Sequence, residues 1–391
     1  MGGSAFSAIL PSSAFPRIPP AVYHAVKARL TPRIQTLYSI VSTPTEAPEK
    51  DDHGDLDFLV AEPLIPVEMV NVPHEEVTSV LEAKHIIPMP GNRTSSYAIT
   101  IERGDWAALG HGSDEDVRRC AAEADNQQDI FYQVDVHVCS DKAEWERIHF
   151  FHGYGDLGMI MGLVARNKGL ALGSKGLKIP NPPRPPFDLC ESMDEILQYM
   201  GLSMARWKSG FQTKQEVFEW VGESPLFDPA RFRSEGQGIK KVKPERKMYA
   251  QFVEWAQQPK EHRGESATSQ RVLDSEDWVQ HALEYFGKKD EYDGLAREDA
   301  DKARLKEHFN GSKVRSWTGL PVEHWKGLKL IMDQVREWVG GEAGILKILD
   351  EQGELGMKEL VLRAKEELGI IGTDPSLAEV TKELEEVAVT S

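Results

Sequence analysis

Residues Lys50–Val60 read KDDHGDLDFLV, a stretch in which four aspartates, one histidine and one glycine surround or precede an apolar run. Side chains at positions i and i+2 of a strand lie on the same face, so a strand here directs Asp55 and Asp57 to one side and the apolar residues between and after them towards a core. This DxD pair can share hard cations such as Mg²⁺. An acidic turn before an ordinary edge strand is the alternative, because short motifs often match by chance.

A second predicted strand, Ile130–Cys139 (IFYQVDVHVC), carries an aspartate in its middle. Alternation places Asp135 on one face with Gln133 and His137, and valines on the other face. Burying such an aspartate costs free energy unless its charge is compensated. If this strand lies beside the DxD pair, Asp135 completes a three-carboxylate cluster able to hold two magnesium ions about 4 Å apart, as nucleotidyl transfer requires. A solvated face for Asp135 is the alternative.

Composition limits the classes of protein to consider. The chain has 391 residues and is 40% hydrophobic, which suits two or three folded domains. It has no run of 18 apolar residues, so we expect no membrane association. The net charge of −17 disfavours tight, nonspecific binding of duplex nucleic acid. Cys120, Cys139 and Cys190 form no CxxC pair and predict buried thiols in a reducing compartment, either cytoplasmic or nuclear.

The segment Phe150–Leu177 (FFHGYGDLGMIMGLVARNKGLALGSKGL) carries a family resemblance. Its aromatic pair, Gly-containing turn and Leu-and-Gly-Leu ending resemble the thumb entrance of the DNA polymerase X family. HGDLDFLV resembles the palm motif of that family, and YQVDVHV its third-aspartate strand. SMDEILQYMGL (Ser192–Leu202) resembles the short helix near the end of such thumbs. The resemblance spans roughly Ile34–Leu202 by motifs alone.

The resemblance implies Mg²⁺ or Mn²⁺ as cofactor and an NTP or dNTP as substrate. Asp55 and Asp57 would bind both metal ions, and Asp135 would bind the catalytic one and serve or assist as base. The Gly-Ser pair with which the family grips the triphosphate has no clean counterpart, so Lys50 is the best-placed substitute, unless it is a solvated loop lysine. Gly54 lets the chain turn sharply into the strand. The residues expected to face the sugar of the nucleotide are Phe150, Phe151, His152, Gly153 and Tyr154.

Histidines and basic residues provide further candidates. His137 and His152 rank above His53 as acid, base or metal ligand because of their places beside Asp135 and in the sugar-facing turn. The run Arg231–Lys247 has seven basic residues against two acidic ones and is either a contact for an RNA or DNA end or a solvated basic face.

The order of predicted elements indicates an α+β fold: a nucleotidyltransferase-type palm with a mixed or antiparallel sheet, followed by thumb-like and C-terminal helical regions. We divide the chain into a flexible arm (1–20), the palm (21–140), a thumb-like helical region (141–225), a basic linker (226–270) and a C-terminal helical domain (271–391). The expected function is metal-dependent nucleotidyl transfer. One alternative is a catalytically degenerate member that binds a nucleotide or a protein partner, and another is a helical interaction protein that uses its acidic C-terminal helices. The acceptor and the oligomeric state stay open.

Overall fold

A five-stranded mixed sheet organises the N-terminal part of the chain. The computed structural model describes residues 4–64, 71–90, 94–232, 246–259 and 275–371. The strand order is β1-β2-β5-β4-β3, in which β2 and β5 run parallel and the other neighbouring pairs are antiparallel. The predicted α+β class with a mixed sheet is thereby confirmed. The strands are β1 Tyr38–Ser42, β2 Leu56–Pro63, β3 Ala83–Ile87, β4 Thr94–Thr100 and β5 Phe131–Val138.

One face of this sheet is covered by helices. Leu56, Phe58 and Val134 point into a core that they share with Val22 and Leu30 of helix α1. Removing these aliphatic and aromatic side chains from water is the main term that holds the helices on the sheet. The helices that contribute to this core are α1 Pro20–Ile34, α2 His74–Leu81 and α3 Gly112–Ala124.

Two predicted element boundaries in this region were wrong. The branched and aromatic residues of Ile34–Val41 (IQTLYSIV) predict a strand, but the strand begins only at Tyr38, because α1 continues through Pro32 and its last residue, Ile34, is fully buried. The spacing of apolar residues in Pro73–Lys84 predicts a helix, but the helix ends at Leu81, since Glu82 adopts a left-handed conformation with φ 55° that turns the chain into β3.

The N-terminal segment packs against the other face of the sheet, in contrast to the predicted flexible arm. Two short 3₁₀ turns, Ser4–Phe6 and Ser12–Ala14, bring aromatic side chains onto the start of β5. Phe6 is 0% exposed and stacks on Phe15 with 5.0 Å between ring centroids. These residues form a cluster with Ala98 and Phe131.

The segment that follows β5 combines helices with a small antiparallel sheet. The predicted thumb-like region was described as helical, so the strands β6–β8 are a departure from that expectation. Gly176 makes the turn between the first two strands: its φ is +89°, and an added Cβ would lie 2.2 Å from the Cys190 carbonyl oxygen. The elements are α4 Lys142–His152, α5 Leu157–Arg166, β6 Ala171–Gly173, β7 Gly176–Ile179, β8 Phe187–Cys190, α6 Met193–Tyr199, α7 Met204–Ser209, α8 Lys214–Gly222, α9 Lys247–Ala256 and α10 Ser275–Tyr285.

The chain divides into two compact units, Met1–Lys288 and Lys289–Ser391. The second unit is helical, with a core that includes Val314, Ile331 and Met357. Its division after residue 288 falls inside the predicted C-terminal region 271–391, and the boundaries proposed within residues 1–270 stay predictions. Its helices are α11 Lys289–His308, α12 Gly311–Thr318, α13 Trp325–Val339, α14 Glu342–Glu351 and α15 Gly353–Glu367.

Candidate functional site

The register of β2 and β5 places two of the predicted carboxylates side by side. Asp57 lies directly opposite Asp135 across this parallel pair of strands. Neighbouring strands lie about 4.8 Å apart, so side chains at paired positions on one face are in reach of each other. Gln133 stands on the same face two residues earlier, and its amide nitrogen donates to both Asp135 oxygens at 3.0 Å. The condition stated for the two strands, that they lie side by side, is thus met for Asp57 and Asp135, and the alternation predicted along β5 is confirmed.

Both aspartates hold a proton more tightly than usual. Burial raises the pKa of Asp57 to about 7, and the charges of Asp55 and Asp135 raise it further. Burial also raises the pKa of Asp135 to about 6, with a contribution from Asp55, although hydrogen bonds from Ser96 and Gln133 oppose the shift. The three carboxylates therefore repel one another electrostatically, and a bound cation would relieve that repulsion.

The side of the sheet on which these two aspartates lie stays open to water. Asp57 is exposed and Asp135 is half-buried, yet desolvation by the surrounding protein is the largest influence on the pKa of each. Apolar groups flank them along the strands, with Phe131 at the start of β5 and Leu59 beyond Asp57 on β2. We use the term recess for the space above Asp57 and Asp135 between these flanks. The clusters on its two sides are Phe6, Ala14, Phe15, Ala98 and Phe131, and Leu59, Ala61, Cys139 and Ile148.

The donor chemistry of this recess suits a hard divalent cation. Mg²⁺ and Mn²⁺ prefer carboxylate oxygens, and Asp57 and Asp135 supply them from paired positions on a rigid sheet. Within the described ranges, however, no three His, Cys, Asp or Glu side chains together have a geometry that holds a metal ion. The chemistry and the position of the pair fit a cation, and among the described residues no third side chain completes a metal-binding group with them.

The loop before β2 is anchored through its histidine. The His53 ring stacks on Tyr23 with centroids 3.7 Å apart, and its backbone exchanges hydrogen bonds with Ile18. Burial lowers the pKa of His53 to about 3, aided by the positive charge of Lys50, so the ring is neutral at pH 7. Lys50 also lowers the pKa of Asp57, which places its ammonium within electrostatic reach of the recess. Gly54, between the anchor and the DxD pair, is buried.

The predicted sugar-facing segment has a packed part and an accessible part. Tyr154 is 4% exposed, its hydroxyl donates to the Trp207 carbonyl at 2.9 Å, and its N–H donates to Thr45. Gly153 is also buried, and an added Cβ would lie 2.9 Å from the Trp207 ring. Phe150 joins them in the interior, so these three residues have a packing role. Phe151 is half-buried and His152 is exposed, and they alone in the segment keep surface from which to contact a ligand.

His137 and His152 lie near each other. Desolvation by the surrounding protein lowers the pKa of His152, although its surface stays exposed, and the charge of His137 adds to that effect. The Nδ1 atom of His137 is 2.9 Å from the Thr94 hydroxyl. The ring of His53 is occupied by the Tyr23 stack, whereas the roles of His137 and His152 stay predictions.

Two further residues near the recess were not predicted from the sequence. Ser96 of β4 pairs with Asp135 across the antiparallel ladder, and its side chain hydrogen-bonds to that carboxylate. Tyr23 of α1 feels the charges of Asp57 and Asp55. Neither residue belongs to a motif. Ser96 is found only when the pairing of β4 with β5 is known, and Tyr23 only when the position of α1 is known.

The basic run Arg231–Lys247 lies mostly outside the described residues, because the structure describes none of 233–245. At its described end, Arg246 donates to Asp156 at 2.7 Å, and the Tyr249 N–H donates to the same carboxylate at 3.2 Å. Asp156 belongs to the glycine-rich GYGDLG stretch, which is thereby tied to α9. The predicted contact of the run with an RNA or DNA end stays a prediction.

Two expectations drawn from composition concern the burial of the cysteines and helices that could span a membrane. Cys139 is buried as predicted, but Cys190 is half-buried and Cys120 is exposed, so the expectation of three buried thiols was wrong for Cys120. Among the residues that the structure describes, no helix is long and apolar enough to cross a membrane.

No family model matches the chain, and no curated protein sequence matches it either.

Proposed function

We propose that this protein is a divalent-cation-dependent nucleotidyltransferase that moves a nucleoside monophosphate from an NTP or dNTP to an acceptor hydroxyl. The observation that carries the proposal is the β2–β5 register, which sets Asp57 opposite Asp135 in a recess open to water. Within the described part of the chain, neither carboxylate forms an ion pair with lysine or arginine. A structural role for two such charges would normally include a compensating partner.

Each residue of the recess has a distinct task in this proposal. When bound by Asp55, Asp57 and Asp135, Mg²⁺ or Mn²⁺ supplies positive charge that offsets the charge of a triphosphate. Gln133 and Ser96 hold the Asp135 carboxylate in place, where it would accept the proton of an acceptor hydroxyl. Phe151 and His152 are the accessible candidates for contact with the sugar.

A catalytically degenerate relative that binds a nucleotide or a protein partner is the second candidate. Two observations favour it: the described residues contain no assembled three-residue metal group, and Tyr154 is committed to the interior. In its nucleotide-binding form, this candidate shares the recess with the first one and differs from it only in turnover.

Incorporation of label from α-phosphate-labelled NTPs or dNTPs separates the candidates. Purified full-length protein is incubated with RNA and DNA primers in Mg²⁺ or Mn²⁺, beside Asp57→Asn and Asp135→Asn. Asp51→Asn and Asp129→Asn serve as controls, because both of these aspartates are exposed and lie in the same two sequence segments. We expect product with the wild type and both controls only. Product that persists in both recess variants would refute the metal-dependent mechanism, and cation-dependent nucleotide binding without product would favour the degenerate member.

A further inference from the structure

Glu46, in the loop between β1 and β2, is surrounded by groups that bind anions. Its Oε1 atom lies 3.3 Å from the Lys27 ammonium, and its Oε2 atom lies 3.7 Å from Nε2 of His24 and 3.9 Å from Nε2 of His53. The hydroxyl of the buried Tyr23 also hydrogen-bonds to it. One carboxylate thus gathers a lysine, two imidazoles and a phenol.

This anion-binding group adjoins the carboxylate recess. Tyr23 stacks on His53, and His53 precedes Asp55 by two residues, so the group and the DxD pair share one anchor. Burial raises the pKa of Tyr23, and the charges of Glu46, Asp57 and Asp55 raise it further, which confirms that all three acids are within electrostatic reach of that hydroxyl. The charge of Lys50 acts on both His53 and Asp57, so its ammonium is within electrostatic reach of both groups.

The loop that carries Glu46 is held on both sides of that residue. The Thr45 carbonyl accepts from the Tyr154 N–H at 2.6 Å, and the Glu49 side chain accepts from the Lys214 N–H at 3.1 Å. The backbone can therefore stay in place while the Glu46 side chain rotates. That side chain is 21% exposed and its Lys27 partner is 34% exposed, so solvent reaches the pair.

We propose that His24 and Lys27 of α1, together with Lys50, form the binding site for the triphosphate of the nucleotide, and that Glu46 occupies this site until the substrate displaces its carboxylate. The identity of the ligand rests on the proposed function. The inference supplies a substitute for the Gly-Ser pair that the sequence lacks. A site built for an anion would also account for the lysine, imidazole and phenol groups that surround Glu46.

Binding of inorganic tripolyphosphate tests the inference without metal or turnover. Its Kd is measured by titration calorimetry in EDTA at low ionic strength, where charge contacts are screened least. We expect Lys27→Met to weaken binding about tenfold and Glu46→Gln to tighten it about fivefold, because one change removes an attractive charge and the other a competing one. Lys27→Arg keeps the charge and is expected to bind within about threefold of the wild type.

The matched control is a lysine–glutamate pair on α4. Lys142 and Glu146 lie 3.9 Å apart and are 64% and 61% exposed. Lys142→Met and Glu146→Gln are expected to leave the Kd unchanged. Thermal unfolding of every variant checks that it is folded.

The opposite signs at Lys27 and Glu46 are decisive, because a purely structural ion pair predicts that both substitutions destabilise and that neither tightens binding. An unchanged Kd in Lys27→Met, or weaker binding in Glu46→Gln, would overturn the inference. Tripolyphosphate binding with the expected signs but no nucleotidyl product would uphold the anion site and remove the proposed function. Formation of nucleotidyl product with an NTP KM that Lys27→Met does not change would uphold the proposed function and overturn the anion site.

Discussion

Carboxylates that the surrounding protein desolvates occur at two places in the first unit, and their surroundings differ. Glu115 of α3 is 3% exposed and accepts hydrogen bonds from the Gly104 and Trp106 N–H groups and from Arg119 at 2.9–3.0 Å. Burial by itself raises the pKa of Glu115, but these donors outweigh it and leave the pKa below its usual value. At Asp57 and Asp135 burial prevails, and both pKa values are raised.

The difference separates a structural charge from one that awaits a partner. A carboxylate with a full set of donors stabilises the fold and has little capacity left for a ligand. Two carboxylates that face each other across parallel strands destabilise the fold until a cation or a proton reaches them. The same residue type therefore predicts opposite responses to mutation at the two places.

The largest expected effect is on transfer activity. Asp57→Asn or Asp135→Asn should lower kcat/KM by about 1,000-fold, equivalent to about 4 kcal/mol of transition-state stabilisation, because each removes charge from the cation site. The double variant should be no worse than the poorer single variant by more than about threefold, since the two residues act as a unit. Multiplicative losses in steady-state kinetics would show that they act independently.

The next largest effect is on stability at Glu115. Arg119→Met leaves the buried Glu115 charge without its guanidinium partner, and we expect the free energy of unfolding to fall by about 3 kcal/mol. Arg103→Met is the control, because the Arg103–Glu123 ion pair is 3.4 Å long and its side chains are 74% and 54% exposed. The control should change the unfolding free energy by less than about 0.5 kcal/mol in urea denaturation. Equal losses in the two variants would contradict the assigned roles.

The sequence predicted the orientation of Asp57 and Asp135 better than it predicted the elements that pack around them. The alternation in YQVDVHV and HGDLDFLV was sufficient to orient Asp57 and Asp135, because residues in a strand change face at every position. That the two strands are parallel neighbours in this register could not be read from either stretch, since it depends on how the intervening elements close the sheet.

The elements that were missed share a physical cause. Residues 4–18 read as an arm because proline and serine dominate locally, yet Phe6 and Phe15 are buried by distant Phe131. Tyr154 was predicted to contact a ligand. Its hydroxyl instead donates a hydrogen bond to the carbonyl of Trp207, which lies 53 positions away in the chain. Local patterns determine the direction in which a side chain points, whereas its partner is determined by tertiary packing.

A divalent cation should stabilise the recess selectively. Mg²⁺ at ten times its Kd adds about 1.4 kcal/mol to the unfolding free energy, which corresponds to a rise in Tm of about 3 °C. We expect this rise in differential scanning fluorimetry at pH 8, and a smaller one at pH 5, where protons compete for Asp57 and Asp135. NaCl at matched ionic strength is the control for screening, and Asp129→Asn should respond as the wild type does. A full Mg²⁺ response in Asp57→Asn/Asp135→Asn would assign the cation to another site.

The smallest effect isolates the cost of the Asp57 charge in the absence of metal. Its folded-state pKa of about 7 lies above that of an unfolded aspartate, about 3.9, so the folded state loses stability relative to the unfolded state as pH rises from about 4 through 7. In EDTA, Asp57→Asn should therefore come closest to the wild-type Tm near pH 4 and exceed it increasingly up to pH 8, by about 2 °C there because solvent screens the charge of this exposed side chain. The difference in Tm between variant and wild type cancels the contributions of other titrating groups, including His53, whose lowered pKa gives a pH dependence of the opposite sign.

Glu115→Gln, measured in the same way, should lower Tm at both pH values, because the charge of Glu115 is already compensated. A lower Tm for Asp57→Asn at pH 8 would mean that Asp57 is as well satisfied as Glu115, and the contrast between the two places would then be lost.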